Sequence, residues 1–284
     1  MIVVTGATGQ LGRLVIRKLL ETVPASQVVA AVRQPAQAAD LAALGVQVRA
    51  ADYTRPATLA AAFAGARKLL LISSSEVGQR TAQHRAVIDA AREAGVGLLA
   101  YTSLLRAPTS GITLAAEHRE TEVLLAASGL PHVVLRNGWY TENYTGSIGA
   151  ALAHGVVLGA AGAGRIASAA RVDYAEAAAA VLLRDGQAGQ VYELAGDEAF
   201  TLADYAAEIT RQSGRPVAYQ DLPEAGFQAA LVQAGLPEAF AAVLAQSSAA
   251  SARGELFDGG RQLSALIGRP TTPLADSVAA ALKA

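Results

Sequence analysis

The stretch TGATGQLG, residues 5–12, decides the fold of this chain. The residues that lead into it, Ile2 to Thr5, are apolar and β-branched and predict a strand. From Gln10 to Glu21 the apolar side chains recur at helical spacing. A glycine loop that follows a strand and opens a helix has the context of a dinucleotide-binding fingerprint, and an ordinary glycine turn is the alternative interpretation.

The three glycines of this loop are predicted to have different tasks. Gly6 allows the tight turn, Gly9 lets the backbone approach a pyrophosphate, and Gly12 permits close packing of the helix. The N-terminus of the helix offers free N–H groups and the positive end of its dipole to the phosphates. The predicted cofactor contacts in this loop are Gly6, Ala7, Thr8, Gly9, Gln10, Leu11 and Gly12.

The first half of the chain continues as alternating short apolar runs and longer helical patterns. That alternation is typical of a parallel sheet with helical crossovers. The predicted strands are Ile2 to Thr5, Gln27 to Val32, Val46 to Ala50, Lys68 to Ile72, Gly97 to Tyr101 and His132 to Arg136. The fold class predicted from this order is α/β, with a Rossmann-type doubly wound parallel sheet over residues 1–136.

Beyond Arg136 the alternation gives way to glycine-rich connections between residues 155 and 164. A helix from Asp173 and a strand over Val191 to Leu194 follow, and Thr201 with Asp204 predicts a capping box at the start of another helix. We expect a smaller α/β subdomain over residues 137–284 that binds substrate, with segments that can interleave with the first domain. The substrate cleft is expected between the two regions.

Composition excludes several classes of function. The 23 basic and 24 acidic residues are intermixed, so no basic stripe is available for nucleic acid or an anionic membrane surface. Cysteine is absent and the four histidines lack metal-ligand spacing, so no metal is expected. Neither a signal peptide nor an apolar run of membrane-spanning length is present. We therefore expect a soluble, cytoplasmic protein.

Polar residues at the ends of the second and third predicted strands suggest which nucleotide binds. Arg33 stands where an NAD-selective protein often has a carboxylate for the ribose diol, and a guanidinium there suits a 2′-phosphate. This predicts NADPH, although a solvated surface arginine is an alternative. Asp52 and Tyr53 follow the third strand and are candidates for contacts with adenine, with a turn or helix cap by Asp52 as the alternative.

Hydroxyl side chains follow the fourth and fifth predicted strands. Ser73, Ser74 and Ser75 come after the fourth strand, and Thr102 comes after the fifth. Ligands of open α/β sheets bind at the carboxyl edge of the sheet, so these hydroxyls are candidates to line the path of the ribose and nicotinamide. Helix capping is the competing role of serine and threonine at such positions.

The segment that follows the sixth predicted strand contains the single tryptophan of the chain. Trp139 and Tyr140 stand beside Asn143, and these residues are candidates for both substrate and cofactor contacts. Amphipathic rings at a sheet edge can form a wall for a flat substrate. Core packing between the two regions is the alternative role.

The motifs together resemble the NmrA-like branch of the atypical short-chain dehydrogenase/reductases, and the resemblance runs over nearly the whole chain. Its segments are TGATGQLG at 5–12, ADY at 51–53, LLLISSSEVGQR at 69–80, AYTSLL at 100–105, LRNGWYTENY at 135–144, VYELAGD at 191–197 and IGRPTT at 267–272. The resemblance implies cofactor contacts by residues 6–11, Arg33, Ser74, Ser75, the loop from Gly138 to Asn143, and Arg171. It also implies an oxidoreductase whose cleft above the nicotinamide accepts quinones.

One departure from the wider superfamily concerns proton transfer. Typical members carry Tyr-x-x-x-Lys before the sixth strand, whereas this chain has Leu114 and His118 in those places. His118, the candidate catalytic residue, either replaces the lysine's contact with the ribose or is simply a polar residue on a helix. Direct hydride transfer from NADPH to a quinone, or to another flat conjugated acceptor such as a triphenylmethane dye, is the function expected. A non-catalytic NADP(H)-binding redox sensor is the alternative.

Overall fold

The computed structural model describes residues 1–283, which form two compact units. Unit 1 comprises Met1–Ala107, Ala116–Asn137 and Arg171–Tyr192. Unit 2 comprises Pro108–Ala115, Gly138–Ala170 and the chain from Glu193 onward. The chain therefore leaves unit 1 after Asn137 and returns to it at Arg171, a more interleaved division than a single boundary at residue 136.

Nine strands form within the described residues. They are β1 (Ile2–Thr5), β2 (Val28–Val32), β3 (Gln47–Ala50), β4 (Lys68–Leu71), β5 (Leu98–Leu104), β6 (His132–Asn137), β7 (Val156–Gly159), β8 (Val191–Leu194) and β9 (Ala218–Asp221). Seven of these strands form one sheet in the order β3-β2-β1-β4-β5-β6-β8. The pairs from β3 through β6 are parallel, with Val3 opposite both Val29 and Leu69. The α/β class and the Rossmann-type sheet predicted from the sequence are confirmed.

The order of the strands reverses between β1 and β4. In open parallel sheets, ligands bind outside the carboxyl ends of the strands at such a switch point. The loop after β1 is the glycine stretch, and the loop after β4 is the serine run. The topology thus brings both stretches to one edge of the sheet.

Thirteen α-helices form in the part of the chain that is described. They are α1 (Gln10–Leu20), α2 (Ala39–Ala43), α3 (Pro56–Phe63), α4 (Arg80–Glu93), α5 (Ala115–Ala127), α6 (Glu142–Thr145), α7 (Ile148–His154), α8 (Arg171–Leu183), α9 (Leu202–Ser213), α10 (Glu224–Gln233), α11 (Glu238–Ser251), α12 (Gln262–Ile267) and α13 (Leu274–Ala281).

The core of unit 1 lies on the central strands. Val3, Leu69, Leu71 and Leu99 are fully buried in one cluster that also contains Phe63 of α3. Helix α1 turns five residues inward, including Val15 and Leu19, and packs against α8. Because parallel strands are covered by helices on both faces, their continuous apolar sequences are explained by this packing.

Two expectations about strands need correction. The fifth strand was expected to end at Tyr101, but β5 continues to Leu104 because its pairing with β6 extends to the register Leu104 opposite Asn137. Thr102 therefore lies within a strand and not in the loop after it. The glycine-rich stretch from residue 155 was expected to be connecting loop, yet it contains β7, which pairs in parallel with β9 in unit 2.

The capping box of unit 2 forms as the sequence predicts. The Thr201 hydroxyl accepts a hydrogen bond from the Asp204 backbone N–H at 3.1 Å, and the Asp204 carboxylate accepts one from the Thr201 backbone N–H at 2.8 Å. These two contacts satisfy N–H groups that would otherwise be unpaired at the start of α9. Among residues 1–283, no helix is long and apolar enough to cross a membrane, and no group of side chains is arranged to hold a metal ion.

Candidate functional site

A cleft of about 290 Å³ lies at the switch point of the sheet, entirely within unit 1. It is bounded by the loops that follow β1, β2, β3 and β4, and we call it the unit 1 cleft. Its lining residues are Gly6, Thr8, Gly9, Arg33, Ala51, Asp52, Tyr53, Thr54, Ile72, Ser73, Ser74, Ser75, Glu76 and Gln83. Most of the cofactor contacts predicted on these four loops are therefore brought together.

The glycine loop has the geometry of an anion-binding loop. Gly6 has a φ of +58°, a left-handed conformation that side chains rarely adopt. A Cβ atom on Gly12 would lie 2.5 Å from the Gly6 carbonyl oxygen, so only glycine allows α1 to pack this close. Gly9 precedes α1 and has no side chain to cap it, which leaves the first amides of the helix available to an anion.

Arg33, which lines the unit 1 cleft, has a positive charge that is paired with an acid. Arg33 Nη1 lies 2.6 Å from Glu76 Oε1, and the second carboxylate oxygen of Glu76 accepts a hydrogen bond from Gln83 Nε2 at 2.7 Å. The hydrogen bond from Gln83 and the ion pair with Arg33 hold the pKa of Glu76 below its usual range. Glu76 is therefore a carboxylate at neutral pH.

Asp52 and Tyr53 both line the cleft, and each is held by hydrogen bonds to a threonine. Asp52 Oδ1 accepts hydrogen bonds from the backbone N–H and the hydroxyl of Thr54, so it caps the turn and lines the cleft at once. Burial raises the pKa of Asp52, but these hydrogen bonds outweigh it and leave the pKa below its usual value. The Tyr53 hydroxyl donates to Thr5 Oγ1 at 2.6 Å and fixes the ring across the end of β1.

Two buried side chains form hydrogen bonds with the backbone of the loop Ser73–Ser75, which we call the serine loop. The Ser73 backbone N–H donates to Thr102 Oγ1 at 2.9 Å, and the Ser74 backbone N–H donates to His84 Nε2 at 2.9 Å. Thr102 and His84 are both buried, so these contacts are shielded from water. The structure thus gives Thr102 a supporting role behind Ser73, a different position from the loop in which the sequence placed it.

The tautomer of His84 follows from its contacts. The Thr121 hydroxyl donates to the Glu117 carbonyl at 2.8 Å, so it accepts a hydrogen bond from His84 Nδ1 at 2.9 Å. The proton of the neutral ring is therefore on Nδ1, and Nε2 has the lone pair that Ser74 N–H needs. Burial and the nearby Arg80 charge lower the pKa of His84 to about 3, so the ring stays neutral in the folded protein.

His118, the candidate catalytic residue, is buried beside His84. Its Nδ1 lies 2.7 Å from the Tyr101 hydroxyl, and its side chain is 4% exposed. Burial and the positive charge of Arg80 lower the pKa of His118 to about 3. In residues 1–283 the lining of the unit 1 cleft does not include His118. A neutral, enclosed imidazole is a poor source of protons at neutral pH.

The aromatic segment after β6 lies in unit 2. Trp139 and Asn143 line a cavity of about 710 Å³ that is formed within this unit by α7, β7, α9, α10 and α11. Within the described lining no Asp, Glu, Lys or Arg occurs, and the polar groups include Asn143, Ser147 and Gln233. Such a cavity is suited to an uncharged, largely apolar molecule. Tyr140 forms a backbone bridge with Ala169, and Gly138 N–H donates to the Leu194 carbonyl at 2.7 Å.

Arg171, the last of the predicted cofactor contacts, is the first residue of α8 in unit 1.

Three residues that shape the unit 1 cleft were not predicted: Glu76, Gln83 and His84. A signal was present for two of them. On α4, Arg80, Gln83, His84 and Val87 recur at the spacing of one helix face, and all four are buried. Polar side chains on the buried face of a helix indicate a polar network and not plain core packing.

Comparison with known proteins places these features in a family. A family model described as NAD(P)H-binding matches residues 6–185. Quinone oxidoreductase 2 of Escherichia coli K12 is 60% identical over 278 residues, which are 98% of this chain and 97% of that protein. An NmrA-like family domain-containing oxidoreductase of Aspergillus flavus is 29% identical over 97% of this chain and 92% of its own length.

Solved structures agree with this placement. A crystal structure of the NADPH-dependent quinone oxidoreductase from Escherichia coli in complex with NADPH has a TM-score of 0.97 and 59% identity, and covers 99% of this chain and 100% of its own. The triphenylmethane reductase of Citrobacter sp. complexed with NADP(H) has a TM-score of 0.95 and 40% identity, and covers 99% of this chain and 100% of its own.

Proposed function

The chain belongs to the NAD(P)H-binding family, and we propose that it is a reductase that passes a hydride from NADPH to a quinone. The proposal is supported by the unit 1 cleft, whose lining includes both the glycine loop at a helix N-terminus and Arg33. This is the arrangement that a pyrophosphate and a 2′-phosphate require. The resemblance to an NADPH-dependent quinone oxidoreductase of known structure supports it.

The residues present fit NADPH. We assign the pyrophosphate to the backbone N–H groups of Gln10 and Leu11 at the start of α1, where no side chain caps the helix. The Gly9 N–H instead donates to the Gly6 carbonyl oxygen at 2.9 Å and so closes the loop. We assign the 2′-phosphate to Arg33, and the adenosine to the part of the lining that contains Asp52 and Tyr53. Ser73, Ser74 and Ser75 are assigned to the ribose side, held in place by Thr102 and His84.

The acceptor is assigned to the unit 2 cavity. Bound NADPH supplies a hydride, and a quinone that takes it up with one proton from solvent becomes a hydroquinone. The lining near Trp139 and Asn143 is largely apolar and, apart from His154 and the tyrosine hydroxyls, contains no titratable acid or base among the described residues, which suits a flat conjugated ring with apolar substituents. The cavity volume of about 710 Å³ also suits larger acceptors such as triphenylmethane dyes. The protein's main tasks are to orient the acceptor and to exclude water.

A dedicated protein acid is not needed in this scheme. Leu114 cannot donate a proton, and His118 is neutral and hydrogen-bonded to Tyr101. Burial also raises the pKa of Tyr101 above its ordinary value, which makes it a weaker acid. A quinone forms a stabilised phenolate when it accepts a hydride, so protonation by solvent is sufficient.

Steady-state turnover tests the proposal and separates a reductase from a redox sensor. Purified protein is mixed with NADPH and, in separate assays, benzoquinone, naphthoquinone and a triphenylmethane dye, and loss of the nicotinamide absorbance is followed. We expect saturable oxidation of NADPH with at least one quinone. Tight binding of NADPH without oxidation by any of these acceptors would contradict the proposal and favour a sensor.

A further inference from the structure

We propose that Glu76 limits the preference of the unit 1 cleft for NADPH over NADH, because its carboxylate occupies the guanidinium that the 2′-phosphate needs. The inference rests on the proposed function and names a specificity-determining residue within the same cleft. Arg33 Nη1 lies 2.6 Å from Glu76 Oε1. Both side chains line the cleft.

Glu76 differs from an ordinary surface partner of an arginine because the protein holds it in place. Gln83, itself 5% exposed, donates to the second oxygen of the Glu76 carboxylate at 2.7 Å. The Glu76 backbone N–H donates to Ser74 Oγ at 3.1 Å. The Glu76 side chain is 41% exposed, but its hydrogen bond with Gln83 must break or rearrange before the carboxylate can leave Arg33.

The net charge of the cleft lining also affects how a phosphate binds at Arg33. The charged residues in the described lining are Arg33, Asp52 and Glu76, which sum to one negative charge. A phosphate monoester adds about 1.5 to 2 further negative charges near neutral pH. The 2′-phosphate of NADPH must therefore share or displace Glu76 at Arg33, and it then remains close to a like charge.

NADH has a 2′-hydroxyl in place of the 2′-phosphate, so Glu76 affects its binding differently. Its ribose 2′-hydroxyl can donate a hydrogen bond to a carboxylate, and it brings no charge for Glu76 to repel. Glu76 thus opposes one cofactor and tolerates the other, while Arg33 favours the first. The preference for NADPH over NADH thus depends on the balance between Arg33 and Glu76. We expect removal of the Glu76 charge to increase this preference.

The test is the dissociation constant of each cofactor for the wild-type protein and the Glu76→Gln variant, measured by calorimetry in low-salt buffer. Glutamine keeps the size of the side chain and can still accept from Gln83. We expect NADPH to bind about threefold to tenfold more tightly to the variant, with the gain shrinking at high salt. NADH binding should change by less than about twofold or become weaker. Glu93→Gln, an exposed acid at the end of α4, is the matched control for the change in net charge.

A double-mutant cycle separates competition for Arg33 from general repulsion. In an Arg33→Ala background, the gain of NADPH affinity from Glu76→Gln should become smaller, because no guanidinium is left to release. Unchanged or weaker NADPH binding by Glu76→Gln would overturn the inference and make Glu76 a residue that positions Arg33. Failure of the wild-type protein to bind either cofactor would instead contradict the proposed function.

Discussion

Acidification should destabilise the protein through two buried histidines, and the size of the effect follows from their surroundings. His84 and His118 have pKa values lowered to about 3, whereas an unfolded chain has the ordinary value of about 6.5. Between these values the unfolded state binds more protons than the folded state, so stability falls as pH falls. At pH 4.5 each histidine lowers the free energy of unfolding by roughly 2 to 3 kcal/mol relative to neutral pH, and both effects have the same sign.

The assay is urea denaturation at pH 7.5 and at pH 4.5 for the wild-type protein, His84→Gln and His118→Gln. Glutamine can hydrogen-bond but does not titrate, so each variant should lose roughly 2 to 3 kcal/mol less than the wild-type protein between the two pH values. Each protein is its own reference, because only the change between the two pH values enters the comparison. Titration of the imidazole resonances by NMR gives the same pKa values without any mutation.

The result that would refute this reasoning is an equal loss of stability in the wild-type protein and in both variants. A midpoint near pH 6.5 for both imidazole resonances would have the same meaning. In either case the histidines would be protonated in the folded protein. The hydrogen bond from Ser74 N–H to His84 Nε2 could then not hold the serine loop at low pH.

Three further predictions concern the site. Gly9→Val should abolish NADPH binding while the circular dichroism spectrum stays unchanged; a folded variant with normal NADPH affinity would make the loop purely structural. Arg33→Ala should weaken NADPH about 10- to 150-fold and NADH little, and equal losses for both would remove the 2′-phosphate from Arg33. His118→Gln should keep kcat within about tenfold, whereas Trp139→Ala should raise KM for the quinone; a kcat loss beyond about 10³-fold for His118→Gln with NADPH binding unchanged would reveal a catalytic acid.

The parallel sheet could be predicted because its strands carry local signals. A buried parallel strand is apolar on both faces, so runs such as Lys68–Leu71 stand out in the sequence. β7 and β9 could not be found in this way. β7 is an apolar run that ends at Gly159 in a glycine-rich stretch, and β9 contains Gln220 and Asp221. The two strands pair across about sixty residues of chain. The extension of β5 to Leu104 likewise depends on pairing with β6 and not on its own residues.

The functional site likewise contains residues that the sequence predicts and residues that it does not. Residues that contact a ligand through a backbone motif, such as Gly6 and Gly9, are readable because the loop is contiguous. The helix face that contains Gln83 and His84 has a local signal, but their partners, Glu76 and the Ser74 backbone N–H, are set by the folding of α4 against the loop at residues 73–76. The absence of a resident metal and the cytoplasmic location stay predictions.

A single-turnover experiment tests whether hydride passes from NADPH to a quinone. Protein with one equivalent of bound NADPH is mixed without oxygen with one equivalent of a quinone, and both species are followed by absorbance and chromatography. We expect NADPH to be consumed and hydroquinone to form in a one-to-one ratio, with one deuterium lost from each molecule of NADPH that has both C4 hydrogens replaced by deuterium. Bound NADPH that persists while the quinone remains oxidised would contradict it.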